Sequence, residues 1–476
     1  MHKHLKRLLA VLAISFVANG CIKASSCISE EPVLSYQFDI SRSKVPTMAT
    51  VKRIVDIISS LGYNQFQLYT ENTFRYEGHE VAWEGWSPFT PAEIRELDSY
   101  AASKGVSLVP NQNSFGHMEK WLMHDKYAPL AQSLKLRNAL SPTNEASLKF
   151  LESLYDQLLP CFKSRYFNVG CDEVEGVSQD DYLAFLNKIH SLVASRGRTM
   201  MYWADIVLND PSTIDKVPHD AIALNWGYAH DYDFEKSCTL LKDTGFKFYV
   251  CPGTSAWASL VGQTTNMMIN VSKAVAAGRK NGAIGYMMAD WGDGGYVQPW
   301  LISIPAIVML ADSVRRNVAH TEETLARRVD EVLSCRIGKS LLEMGKIDRF
   351  AGLKSGNNTV LWRMFRKGRR FGTIVESRPE GQRGVSKERM RRVFEEWDKA
   401  LSFADLTGAD EWVKDDFCHL KLLRKALEMR VESQHDKVVS DIRPEFSRLW
   451  LKYYRPGGLE DSLLQNLSET IPANFK

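Results

Sequence analysis

RYFNVGCDEVEGVSQDDYLAFLNKIHSLV, residues 165–193, is the stretch whose reading decides the fold. It opens on a β-rich run, 165–173, that ends in the carboxylate pair Asp172-Glu173. An acidic start at Asp180-Asp181 then leads into a helical stripe of Tyr182, Phe185, Leu186, Ile189 and Val193. A second β-rich run, TMMYWADI at 199–206, follows. Strand, helix and strand in succession make the βαβ unit of a parallel sheet.

The same alternation extends in both directions. Strands are predicted at 34–42, 65–71 and 107–113 before it, and at 221–228, 246–253 and 283–291 after it. Between them, Val51, Ile54, Val55 and Ile58 keep one helical stripe, and Leu148, Leu151, Leu154, Tyr155 and Leu158 keep another. Thr90-Pro91-Ala92-Glu93 reads as a capping box with proline at the first helical position. Eight strands alternating with helices predict an α/β fold of the (β/α)8 barrel type, placed at 30–318. A doubly wound open sheet is the alternative, but no glycine-rich phosphate loop follows the first strand. From 319 to 476 only helical spacing is expected, near 321–335, 384–404, 415–435 and 444–454, as a C-terminal all-helical subdomain. The Arg-, Lys- and Gly-rich stretch 352–383 reads as a solvated surface loop.

The chain has 476 residues, 44% hydrophobic and 25% charged, which excludes disordered, collagenous and multi-span membrane classes. Lys+Arg 60 against Asp+Glu 57 leaves a net charge of only +3, no footprint for nucleic acid. Twelve tryptophans are the unusual feature, since a buried indole N–H needs a partner. The eight cysteines form no CxxC pair and no metal-like spacing with histidine, so neither a metal nor a cofactor is expected. Cys171 and Cys251 read as small buried hydrophobes.

Residues 1–21 read as an export signal: a basic start through Arg7, an apolar run Leu8 to Ala18, then Asn19-Gly20-Cys21. Cys21 after Gly20 resembles the lipidated cysteine of a bacterial lipoprotein; a signal peptidase site nearby is the alternative. The chain is accordingly expected in the periplasm or on the cell surface, touching membrane only through a lipid anchor.

Function in such barrels gathers at the C-terminal strand ends. Here those ends carry Asp39 and Arg42, Glu71, His117, Asp172 and Glu173, Trp203, Trp226 and Tyr228, Trp257, and Trp291 and Asp293. Aromatic faces with carboxylates and an arginine make a pocket for a neutral polyhydroxylated ligand. Adjacent strand residues point to opposite faces, so Asp172 and Glu173 can enter one pocket only where their strand ends.

These residues resemble family-20 glycoside hydrolases, the β-N-acetylhexosaminidases, over roughly 34–316. The resemblance is carried by Asp39 and Arg42 in FDISRSKVP, Gly116-His117, NVGCDE at Asn168 to Glu173, and Trp291-Gly292-Asp293. PNQNSFGH and YTENTF are similar to a bacterial branch lacking the small domain that usually precedes the barrel. The sequence departs from the family at Asn168 (usually His), Cys171 (usually Gly) and Asp293 (usually Glu).

The resemblance implies an exo-acting, retaining enzyme that removes a terminal N-acetylhexosamine by substrate assistance. It makes Glu173 the acid and then base, and Asp172 the group that orients the acetamido nitrogen. Glu173 then needs a proton near neutral pH, which burial and the Asp172 charge would favour. Arg42 is implied to grip the sugar hydroxyls, Trp203, Trp226 and Trp291 to wall the acetamido pocket, and Asp293 to bind O4 or O6. Glu71 and His117 take supporting places around the acid, and Tyr249 or Tyr228 donates to the acetamido oxygen. A glycan-binding protein without catalysis and a retaining glycosidase with a protein nucleophile are the competing readings.

Overall fold

The computed structural model describes residues 31–352, 358–365, 374–375, 385–432 and 435–466. The export segment 1–21 with Cys21 lies outside these residues, as does most of the basic stretch 352–383.

Eight parallel strands close into a barrel in chain order. They are β1 Val33–Asp39, β2 Gln65–Thr70, β3 Ser107–Gln112, β4 Tyr166–Asn168, β5 Thr199–Trp203, β6 Ile222–Trp226, β7 Lys247–Cys251 and β8 Gly285–Asp290. Closure comes from β1 pairing with β8, Val33 opposite Gly285 through Phe38 opposite Asp290. Every residue of β2 and of β8 is buried, as strands covered by helices outside and side chains inside must be. The helices between them start on local signals: Thr90 and Glu93 close the expected capping box, and Ser178 caps Gln179–Ser195 through the Asp181 N–H.

The barrel interior is unusually polar. Gln67 Oε1 accepts from the Asn111 amide at 3.2 Å and from the Asn168 amide at 3.0 Å. Asn168, where the family resemblance would place histidine, thus serves as an interior crosslink, and its Oδ1 also accepts from the Gly170 N–H at 3.0 Å.

The strands are shorter at their C-terminal ends than the sequence suggests. β4 differs most, ending at Asn168 instead of 173. Gly170, Cys171 and Glu173 all take left-handed backbone, with φ of 71°, 72° and 48°, which breaks the ladder. Gly170 has no alternative there, because a Cβ would fall 1.8 Å from Asn113 Oδ1. Cys171 is buried as expected, but in this loop and not in a strand.

After the barrel come the helices Glu322–Leu333, Gly338–Met344, Lys387–Ser402, Glu411–Val431, His435–Tyr453 and Leu459–Asn466. Ile374–Val375 pairs in parallel with Val385–Ser386, against the all-helical expectation, and Val360–Phe365, inside the stretch read as a solvated loop, is a helix with buried Val360, Leu361 and Phe365. The chain then straps the loop after β1. Arg455 N–H donates to Val45 O at 2.8 Å, Thr47 N–H to Tyr453 O at 3.0 Å, and the Arg455 guanidinium pairs with Glu93 at 2.7 Å. Lys44, in the same loop, donates to Gln298 O at 3.0 Å with its ammonium 4.1 Å from the Tyr454 ring centre. Among the described residues no helix is long and apolar enough to cross a membrane.

Candidate active site

The strand ends converge on a cavity of about 200 Å³ lined by Arg42, His117, Asp172, Glu173, Trp226, Tyr228, Trp257, Trp291 and Asp293. That volume is small even against the ~300–1,000 Å³ of drug-sized pockets, and suits one sugar ring. A second groove of about 620 Å³ adjoins it, sharing His117, Glu173 and Trp226 and adding Glu119, Glu175 and Asp205.

Arg42 is held from several sides. Its Nη1 donates to Asp39 Oδ2 at 3.1 Å and its Nε lies 3.3 Å from Glu71 Oε1 and 3.9 Å from Asp293 Oδ1. The guanidinium also sits over the Tyr69 ring at 4.5 Å and the Trp291 ring at 5.1 Å. Glu71 accepts from the Tyr69 hydroxyl at 2.9 Å. Burial pushes the Glu71 carboxyl up to about 7, even though Arg42 works against the rise.

The loop geometry explains how two adjacent carboxylates share one site. The left-handed turns at Cys171 and Glu173 cancel the strand alternation and bring both Asp172 and Glu173 to His117 Nε2, at 3.4 Å and 3.5 Å. Burial would lower the His117 pKa, but Asp172, followed by Glu173, raises it well above 6.5, so the imidazole is cationic at neutral pH. Asp172 is buried, and among the described residues its Oδ1 has no hydrogen-bond partner. A buried carboxylate oxygen left without a donor is costly, and it marks a place for one. Glu173 is different: its side chain is 58% exposed, so the burial expected to keep it protonated is absent.

The aromatic wall is a connected set. Trp226 stacks on Tyr228 with ring centres 5.0 Å apart, Tyr228 meets Trp257 edge-on, and the Tyr228 hydroxyl accepts from the Trp291 indole at 2.9 Å. Two expected members of the site lie elsewhere. Trp203 is fully buried behind Trp291, ring centres 5.8 Å apart, and does not line the cavity. Tyr249 lies low in the barrel, where its hydroxyl accepts from Gln65 at 3.2 Å, the first residue of β2. Tyr228 is therefore the tyrosine at the cavity. Glu71 touches the site through Arg42 and does not line it.

Asp205 was missed as a site residue, although WAD at 203–205 already placed a carboxylate on a strand end. Its Oδ2 accepts from the Glu173 N–H at 3.1 Å and its Oδ1 from the Trp226 indole at 3.3 Å. Burial, with the Asp172 charge, raises its carboxyl to about 7.

Residues 35–182, covering β1 to β4, match the model of Glycosyl hydrolase family 20, catalytic domain. Over those residues the chain is similar to the family-20 catalytic domain. Among curated family relatives it is similar to hexosaminidase D of Bos taurus, 29% identical over 219 residues, which are 41% of this chain and 63% of that protein. Hexosaminidase D of Homo sapiens is 25% identical over 45% of this chain and 48% of that protein. The chain thus spans less than two thirds of the length of either. Among solved structures, the β-N-acetylhexosaminidase from Bacteroides fragilis NCTC 9343 superposes with a TM-score of 0.50 at 19% identity, over 59% of this chain and 65% of that one. The family-20 exo β-N-acetylglucosaminidase from Vibrio harveyi gives 0.52 at 15% identity, over 64% and 58%. At these identities the structural likeness speaks to the barrel fold.

Proposed function

We propose that this protein is an exo-acting β-N-acetylhexosaminidase that removes terminal β-linked GlcNAc or GalNAc with retention, using the substrate's own acetamido group. The unpartnered, buried Asp172 Oδ1 beside the cavity carries the reading. An acetamido N–H is the donor it lacks, and an ionised carboxylate there stabilises positive charge as it develops on that nitrogen. The hexosaminidase names of the curated relatives support the same substrate class.

The proposed reaction runs in these steps. Glu173 gives its proton to the glycosidic oxygen as the anomeric C–O bond breaks toward that oxygen. The acetamido carbonyl oxygen bonds to the anomeric carbon, giving an oxazolinium ion. Glu173, now a carboxylate, takes a proton from water as the water attacks and reopens the ring, so the configuration is retained. His117 Nε2 lies 3.5 Å from Glu173 Oε2, beside the group that acts in both steps. Arg42, already gripped by Asp39 and Glu71, presents its remaining donors to the sugar hydroxyls, and Asp293, 49% exposed at the rim, accepts from O4 or O6.

The deciding experiment is a panel of chromogenic β-GlcNAc, β-GalNAc and β-glucosyl substrates. Turnover confined to the N-acetylated sugars is expected. Binding of GlcNAc without turnover would instead make this a glycan-binding barrel, and equal cleavage of the glucoside would require a protein nucleophile. Export through residues 1–21 with a lipid on Cys21 is a separate proposal, tested by labelled palmitate reaching the wild type and not C21S.

A further inference from the structure

Glu173 occupies left-handed backbone at φ 48°, a conformation strained for a non-glycine residue unless its surroundings hold it there. Its side chain is 58% exposed and, among the described residues, pairs with His117 alone of the ionisable groups, at 3.5 Å, so its direction is inherited from the backbone. The backbone N–H of Glu173 is held by Asp205 Oδ2 at 3.1 Å. The other oxygen of the same carboxylate holds the Trp226 indole at 3.3 Å. Trp226 in turn lines both the sugar cavity and the adjoining groove, stacked on Tyr228.

We propose that Asp205 is the positioning residue that aims the proton donor Glu173 at the leaving oxygen and ties that aim to the aromatic wall. The inference rests on the glycosidase reading above. One carboxylate spans the β5 and β6 ends and the loop after β4, so Glu173 and the ring against which the sugar packs share a single anchor. Two N–H groups converge on it, and only an acceptor with two free oxygens satisfies both. Asparagine would keep the size but turn an NH2 toward one of those donors, releasing either the acid or the wall.

A leaving-group series on D205N tests this, with W226F beside it. A misaimed acid matters where the departing oxygen needs its proton and matters little where it leaves unaided. D205N should therefore lower kcat/KM about 30-fold or more on the phenyl β-N-acetylglucosaminide, a part of the ~10²–10⁴ that general acid catalysis supplies. On the 2,4-dinitrophenyl glycoside the loss should stay under about 3-fold. W226F removes the indole donor and leaves the bond from Glu173 to Asp205, so it should raise KM on both glycosides alike. Equal losses for D205N on both substrates, or none, would overturn the proposal. A wild type that turns over neither glycoside counts against the hexosaminidase reading instead. The crystal structure of D205N then decides for Asp205 alone: Glu173 leaving the left-handed region supports it, and an unmoved Glu173 refutes it.

Discussion

Asp39 Oδ2 accepts the backbone N–H of Gly292 at 3.0 Å, a bond that joins the end of the first barrel strand to the loop after the last. Asp39 also accepts from the Ser41 and Arg42 N–H groups, at 2.8 and 3.1 Å, while pairing with the Arg42 guanidinium. One buried carboxylate therefore holds the arginine and, through the Gly292 N–H, the loop that carries Trp291 and Asp293. In D39N an amide NH2 would face at least one of these donors. We expect KM for a chromogenic N-acetylglucosaminide to rise about 10-fold and unfolding in urea to come earlier by ~1–3 kcal/mol, the cost of an unsatisfied buried group. An unchanged KM would show that Arg42 is held without Asp39.

E173Q removes the transferable proton and little else, since the side chain is largely exposed. Its kcat/KM on a phenyl glycoside should fall by about 10²–10⁴, with much of the activity on a dinitrophenyl glycoside kept. A loss of equal size on both would point to a damaged pocket.

D172N leaves an amide where a buried charge is needed. A fall in kcat of about 10²–10³, the usual size for losing one preorganised electrostatic contact, is expected with little change in melting temperature. Rates within about 2-fold of wild type would remove Asp172 from the mechanism.

Glu71 offers a test through pH. Its carboxyl is raised from the ordinary 4.5 to about 7 by burial, so the folded state holds a proton that the unfolded chain releases earlier. The sign follows: its contribution is fully present below about 4.5 and is lost as pH climbs through about 7, by on the order of 3 kcal/mol. E71Q cannot ionise and escapes that loss. The melting temperature of E71Q minus that of wild type should therefore increase from pH 5 to pH 8, and a flat difference would contradict the shift.

Much of this architecture was legible in the residues. All eight strands were readable because each is a short β-rich run between helical stripes, and burial on both faces makes such runs stand out. Their ends were not, because NVGCDE keeps a strand-like composition while Gly170 and Cys171 turn left-handed. That turn brings Asp172 and Glu173 to the same imidazole, and only Gly170 hints at it by residue type. Trp203 and Tyr249 were misplaced for a related reason. Position along a strand says which residues lie near its end, but depth depends on how the strands stagger, and that is fixed by closure of the whole barrel. Asp205 was visible at a strand end, yet its role rests on which two N–H groups meet it, and those come from residues 32 positions earlier and 21 positions later.

The strap from Tyr453 to Arg455 across the loop that follows Arg42 has a consequence for synthesis. On the ribosome, the eight strands are complete once Asp290 has emerged, but the segment that braces the loop after Arg42 is translated more than 150 residues later. A nascent chain stalled before it, or one clipped by a protease near its carboxyl end, can hold a closed barrel with a slack binding loop. The loop after Arg42 thus gains this brace only once residues 453–455 have been made and have folded back onto the barrel.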